Sequence, residues 1–409
     1  MKPTMPTRAR QKVPVLKRTL TLPVLALYGL GNIVGAGIYV LVGEVASTAG
    51  YLAPLAFLIA ASVALLSALS YGRLAAAYPT TASESVYADA AFGRRKLNIL
   101  IGLLIAFSGI VSVGALANGF AGYFTGLFDV PVWIVVTAFI GVMSLVAARG
   151  IGESAGLAVA LTLIEVGGLI LILVTGAGAA DWQALSSNIQ AGFSAPNWGG
   201  VLAAAVLAFY AFIGFEDMVN VSEEVRDPAK TLPRAILIAF SLATLLYFAV
   251  IFVTLGVLQP ADLAGSAAPL SLVYESAGGS YPLVVSAIAL MATFNGALVL
   301  IIMGSRILYG MAKRGWLPVH LSQVHHKTQT PLRATAVVAG LTLLGALLLP
   351  LARLAELTSM SLFIVFFLIN VSLIQLVRKR VLTGNIILPI LGAMASASLL
   401  VASLVQKAL

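Results

Sequence analysis

Few residues in this chain have the means to do chemistry. Three carboxylic acids, Glu165, Glu216 and Asp217, stand inside apolar stretches. Four glycines, Gly29, Gly31, Gly35 and Gly37, fall within nine positions of another apolar stretch. Ionisable groups in hydrocarbon are costly and mark proton or ion pathways, counter-ions or substrate contacts. Glycine is the poorest helix former after proline. A glycine-rich centre in Leu22 to Gly43, long enough to cross a bilayer, therefore predicts a helix broken at Gly35-Ala36-Gly37. Broken backbone at membrane depth is tolerated only where protein or a watery cavity satisfies the freed N–H and C=O groups. The N–H groups that open a half-helix can hold a carboxylate, and the carbonyls that end one can hold an ammonium. Two plainer readings compete for the glycines. Small residues let a neighbouring helix approach closely. The run from Gly29 to Gly35 also looks like a nucleotide fingerprint, but its last glycine is misplaced for G-x-G-x-x-G and no strand–helix unit surrounds it.

The setting is a membrane. The 409 residues are 60% hydrophobic and 10% charged, with a mean hydropathy of +1.03, which indicates a polytopic membrane protein. A net charge of +9 does not here signal nucleic-acid affinity, because its distribution follows the membrane rule below. Cysteine is absent, which excludes disulfides and thiolate metal sites. His320, His325 and His326 share one loop, read as solvated rather than metal-binding, and no cofactor is expected. No Ser/His, His/Glu or paired-Asp arrangement converges within the spans, so an enzyme is not expected. No ATP-binding motif occurs either, so any transport must draw on a gradient or on exchange. The basic leader runs into a full-length span without a cleavage site, unlike a signal peptide.

The elements that position these groups are eleven expected spans: 22–43, 52–78, 98–126, 131–148, 155–176, 200–223, 235–257, 281–310, 334–351, 356–377 and 385–405. Residues 1–19 form a basic cytoplasmic tail. A short amphipathic loop follows the second span. A polar stretch occupies 177–198, a short helix is expected from Asp262 to Ser276, and 311–331 is a basic loop. With the N-terminus in the cytoplasm, all 24 Lys and Arg residues except Arg353 and Lys407 fall on the cytoplasmic side. That supports the orientation and puts the C-terminus outside.

The sixth span is also irregular. Gly214 is followed by Glu216 and Asp217 after about 15 apolar residues, too few to cross. The alternative is that the span simply ends there at a wet surface. Spans 1 and 6 stand five apart, and an odd offset inverts the second set of five in the membrane. Interrupted segments at matching positions of two halves point to a transporter site at the midplane. One broken pair suits a zwitterion.

Three motifs carry a resemblance. Gly31-Asn32-Ile33-Val34-Gly35-Ala36-Gly37-Ile38-Tyr39 is the first. Phe212-Ile213-Gly214-Phe215-Glu216, with Glu223-Glu224-Val225-Arg226-Asp227-Pro228 and Leu232-Pro233-Arg234, is the second. Ser305-Arg306-Ile307-Leu308-Tyr309-Gly310-Met311-Ala312, with Gly315-Trp316-Leu317-Pro318, is the third. Through them, over about residues 15–380, the chain resembles the amino acid–polyamine–organocation superfamily. The resemblance implies an all-α polytopic membrane protein with the five-plus-five inverted-repeat fold of the LeuT type: a first repeat over 20–178, a second over 179–380, and an additional span over 381–409. Members commonly have twelve spans, and the one missing here lies outside the repeats.

The resemblance also implies site residues. The substrate carboxylate would meet the N–H groups of Gly35, Ala36 and Gly37. The amino group would meet carbonyls around Ile33, Tyr210 and Ile213. Tyr210, Phe212, Ile38, Ser108, Ser112 and the small Gly214 would shape the side-chain pocket, with the two aromatics serving as a gate or as plain helix packing. Where several relatives carry a lysine, this chain has Glu165, a reversal of charge. Glu165 and Glu216 are the candidates for coupling to protons. Glu165 could equally attract a cationic substrate group or a sodium ion, or be a structural acid. The implied function is secondary transport of small neutral amino acids by alternating access in the cell membrane, with spans 1, 2, 6 and 7 rocking against 3, 4, 8 and 9. A cationic amino acid or polyamine is the alternative substrate. A channel or a transporter-like sensor is the alternative of another class.

Overall fold

The computed structural model describes residues 18, 20–80, 83–149 and 155–408, so most of the expected N-terminal tail lies outside the described residues. The regular structure of the described residues is helical, apart from one isolated parallel bridge between Leu20 and Val225. Backbone groups in lipid must be satisfied within their own segment, and a helix does this along its whole length.

The helices are α1 (Leu22–Ala49), α2 (Ala53–Ala77), α3 (Ser83–Phe92), α4 (Arg95–Thr125), α5 (Val132–Ala148), α6 (Ala155–Ala179), α7 (Trp182–Ser194) and α8 (Trp198–Ala211). They continue with α9 (Pro228–Val257), α10 (Pro260–Leu263), α11 (Pro269–Ser276), α12 (Pro282–Lys313), α13 (Leu332–Leu348), α14 (Leu351–Arg378) and α15 (Ile387–Ala408). Eight helical stretches are long and apolar enough to cross a membrane. Leu22–Gly35, Val132–Ala148 and Leu332–Leu348 are shorter apolar helices. The chain is therefore a multi-pass membrane protein, with an architecture consistent with the LeuT-like fold.

Several connecting segments are more ordered than their composition suggests. The polar stretch 177–198 contains α7, because Asp181 caps it by accepting from the N–H of Ala184 at 2.9 Å. Asn197 caps α8 the same way, accepting from Gly200 at 2.9 Å. The single helix expected over 262–276 is two: α10 ends where Ala264 turns extended and Gly265 takes a positive φ, and Pro269 opens α11. The loop after the second span contains α3, and the histidine loop contains a short 3₁₀ turn, Val319–Ser322.

The packing has a clear centre. α1 lies among α6, α8 and α9, while α4 lies against α12, α13 and α14. Buried hydrogen bonds between helices fix the register. Ser70 Oγ lies 2.6 Å from Asn370 Oδ1, and Asn370 Nδ2 donates to Ser67 Oγ at 3.1 Å, joining α2 to α14. The hydroxyl of Tyr123 donates to the carbonyl of Tyr39, whose own hydroxyl donates to the carbonyl of Glu165, linking α4, α1 and α6 at 2.7 and 2.6 Å.

Candidate functional site

Two helices are interrupted, and their interruptions meet. In α1 the backbone of Gly35 leaves helical space, with φ −10° and ψ −152°. α8 stops at Ala211, a few residues before the end of the apolar run. A turn follows, then a 3₁₀ segment over Glu216–Glu224. Gly214 makes the turn possible, with φ at +123°. A side chain there would also run into the carbonyl oxygen of Asn32, so only glycine lets the two chains cross. Glu216 steadies the turn from inside, its Oε2 accepting from the N–H of Gly214 at 2.9 Å. A second close approach lies at Gly37, where a Cβ would sit 2.9 Å from the Cα of Ala211.

The carbonyls freed by these breaks have a protein partner. The hydroxyl of Tyr247, on α9, lies 2.6 Å from the carbonyl oxygen of Ile33 and 2.8 Å from that of Ala211. Its one proton serves the ends of both half-helices. The sequence offers no sign of this, because Tyr247 stands far along the chain in an ordinary apolar helix. Tyr247→Phe leaves two buried carbonyls without a donor, at a cost of roughly 1–3 kcal/mol. The expected result is a lowered thermal midpoint and about tenfold weaker apparent substrate affinity, read from concentration-dependent uptake.

A cavity opens where the interruptions meet. Its lining includes Ile33, Gly35, Gly37, Ser112, Tyr210, Ile213 and Gly214, all singled out from the sequence. Tyr210 and Ser112 bridge α8 and α4 through their hydroxyls at 2.8 Å, and the Tyr210 hydroxyl also reaches the Ser112 carbonyl at 3.1 Å. Other expected residues lie elsewhere. Ser108 turns its hydroxyl onto the carbonyl of Ile105 at 2.9 Å, and Ile38 is buried away from the cavity. Phe212 is fully buried in an aromatic cluster with Phe57, Phe240 and Tyr247. The side chain of Ala36 lies outside the described residues. The carboxyls of Glu165 and Glu216 are buried near the breaks but do not line the cavity, whereas Asp217 does.

Sequence reasoning did not single out the wall contributed by α12, namely Asn295, Gly296, Val299 and Leu300, nor Leu116 on α4 and the side chain of Asn32. The signal for Asn295 was present as a polar residue in the middle of an apolar span. Among the described residues no cluster of His, Cys, Asp and Glu is suited to a metal.

The arrangement offers freed backbone groups and a mostly uncharged pocket at the centre of a membrane bundle, which can bind and release a small polar solute. Comparison with known proteins agrees. The family model described as amino acid permease matches residues 20–408. The chain is 31% identical over 396 residues to the branched-chain amino acid permease BcaP of Bacillus subtilis, covering 89% of this chain and 82% of that one. It is 28% identical over 408 residues to the methylthioribose transporter of the same organism, covering 93% and 85%. It is 29% identical over 387 residues to the vacuolar cationic amino acid transporter 4 of Arabidopsis thaliana, covering 88% and 63%. With its paired interruptions, and with a family match running nearly end to end, the chain belongs to the amino acid permease family and is a membrane transporter rather than an enzyme.

Proposed function

We propose that the chain is a secondary transporter of small neutral amino acids in the cell membrane, working by alternating access with the N-terminus in the cytoplasm. In this reading α1, α2, α4, α5 and α6 form one five-helix repeat. α8, α9, α12, α13 and α14 form a second, inverted repeat, and α15 is an eleventh span outside both. The observation that carries the substrate reading is the cavity lining. It holds no basic side chain and one acid, Asp217, beside small and uncharged residues. The N–H groups following the α1 break suit a carboxylate. Because Tyr247 already occupies the Ile33 carbonyl, the ammonium is left to share that oxygen's second lone pair or to use other carbonyls of the turn. The branched-chain permease among the relatives fits a neutral substrate.

Asp217 favours a second reading, a cationic amino acid or polyamine, which the plant relative's name also fits. Uptake of labelled alanine, arginine and putrescine into proteoliposomes, with and without an inwardly directed proton gradient, separates the two. Saturable alanine uptake is the expected result. Movement of arginine or putrescine alone would replace the neutral reading. Non-saturable flux without counterflow would indicate a channel, and no flux of any kind a sensor.

Coupling to protons is assigned to Glu165 and Glu216. Both are buried carboxyls, on α6 and on the unwound segment after α8, and both stand beside a break. Glu165→Gln and Glu216→Gln are each expected to flatten the dependence of alanine uptake on external pH. An unchanged pH profile in both variants would overturn proton coupling through them.

A further inference from the structure

Two amide groups in the cavity are left without partners. Asn32 Nδ2, just before the break in α1, and Asn295 Oδ1, midway along α12, are each shut off from solvent with no hydrogen-bond partner among the described residues. Both residues line the cavity where the interruptions meet. Neither is needed to hold the helices together by any bond its idle atom makes. A buried polar atom without a partner is costly, and native proteins keep few of them. An idle donor and an idle acceptor lining one cavity are what a site offers when the ligand supplies the missing halves.

The chemistry of the pair narrows the ligand. An idle N–H needs an acceptor, and an idle carbonyl needs a donor. An aliphatic side chain supplies neither and would leave both atoms unpaired. The substrate's carboxylate and ammonium, which supply acceptors only and donors only, are assigned above to the N–H groups after the α1 break and to the carbonyls of the turn, which leaves these two atoms to the side chain. A hydroxyl supplies one donor and two acceptor lone pairs, so one group can serve the idle N–H of Asn32 and the idle carbonyl of Asn295. Leu116, Val299 and Leu300 give the same cavity an apolar surface, beside Asp217 and the hydroxyls of Ser112 and Tyr210, which bond each other. We propose that Asn32 and Asn295 are specificity-determining residues that read a hydroxyl on the substrate's side chain, so that the preferred substrate is a short hydroxylated neutral amino acid. This rests on reading the cavity as the site of a neutral amino acid and adds to it the class of side chain and the residues that recognise it.

Threonine and valine test it directly, because they differ by a hydroxyl in place of a methyl at nearly constant shape. Both are titrated as unlabelled competitors of labelled alanine uptake in proteoliposomes. In the wild type, threonine is expected to compete at about tenfold or more lower concentration than valine, since a site built for a hydroxyl penalises the analogue that leaves its polar groups unpaired. In Asn295→Leu the ratio is expected to fall to near one or to reverse, and Asn32→Ala should lower it in the same direction. The ratio is measured within one protein, so a loss of folded material moves both competitors alike and leaves it unchanged. Valine competing as well as threonine in the wild type, or a threonine preference kept intact in both variants, would overturn the inference while leaving amino acid transport standing. An absence of alanine, threonine and valine transport altogether would remove the neutral amino acid reading and this inference with it.

Discussion

Gly214→Ala is expected to cut transport about a hundredfold. At φ +123° an L side chain is strained, and its Cβ would collide with the carbonyl oxygen of Asn32, a backbone atom fixed in the first half of α1. Relief requires moving one interrupted helix away from the other, which dismantles the cavity between them. Strain of this kind costs about 1–3 kcal/mol before the collision is added. The two together are expected to reduce uptake per folded molecule by roughly a hundredfold, since each 1.4 kcal/mol is a factor of ten. The matched control is Gly141→Ala in α5, where a Cβ would meet nothing within 4 Å. It is expected to transport normally, and alanine's better helix propensity acts in its favour. Both variants are compared by initial uptake rate, normalised to the monodisperse fraction from size exclusion. Uptake by Gly214→Ala within twofold of wild type would mean that the crossing of the two breaks is not what transport depends on.

The same crossing shows what could be read from the chain and what could not. The break in α1 was legible because its cause is local: four glycines in nine positions do not sustain a helix. The span positions were legible because hydrocarbon imposes one length and one polarity on every crossing segment. The end of α8 was less so. Phe212 to Phe215 is as apolar as the helix before it, and what ends the helix is an encounter between Gly214 and Asn32, which no local pattern encodes. Tyr247 was invisible for the same reason, since its hydroxyl serves carbonyls 214 and 36 positions away.

Side-chain phase was the other difficulty. Ser108 and Ser112 lie four residues apart on α4, about one turn, yet one faces its own backbone and the other faces the cavity. Glu216 and Asp217 divide similarly. The first turns back to hold Gly214 and the second lines the pocket. A motif identifies such a pair but does not say which member points inward.

Purified protein is expected to lose thermal stability as pH rises from 5 to 8, and Glu84 is the group outside the spans that produces the loss. Glu84 sits in the first turn of α3, between the second and third spans, and is buried. Burial is the largest influence on its carboxyl, and the nearby charge of Asp217 adds to it. A hydrogen bond from its own backbone acts in the opposite sense, and the net result is a carboxyl pushed up to about 7. Among the described residues, the groups that act on its carboxyl include no cation. Tyr71, on α2, has Glu84, Glu216, Asp217 and Tyr87 as its charged or titratable neighbours. Lys379, which reaches α3 from the end of α14, donates to the carbonyl of Ala91.

The sign follows from proton binding. The folded state holds a proton on Glu84 up to about pH 7, whereas a solvated Glu releases it near 4.5. The folded state is therefore favoured below about 4.5, and the advantage is lost progressively as pH rises through about 7. The full difference is about 3 kcal/mol, enough to move the midpoint of unfolding by a few degrees. Glu84→Gln removes the titration while keeping the shape, so its midpoint is expected to exceed that of the wild type at pH 8 and to vary less with pH. Glu216 and Asp217 remain in the variant, so the slope that persists is that of the remaining titratable groups, these two among them. The size of that remainder divides the pH response between Glu84 and all other groups. A slope identical to wild type would show that Glu84 contributes none of it.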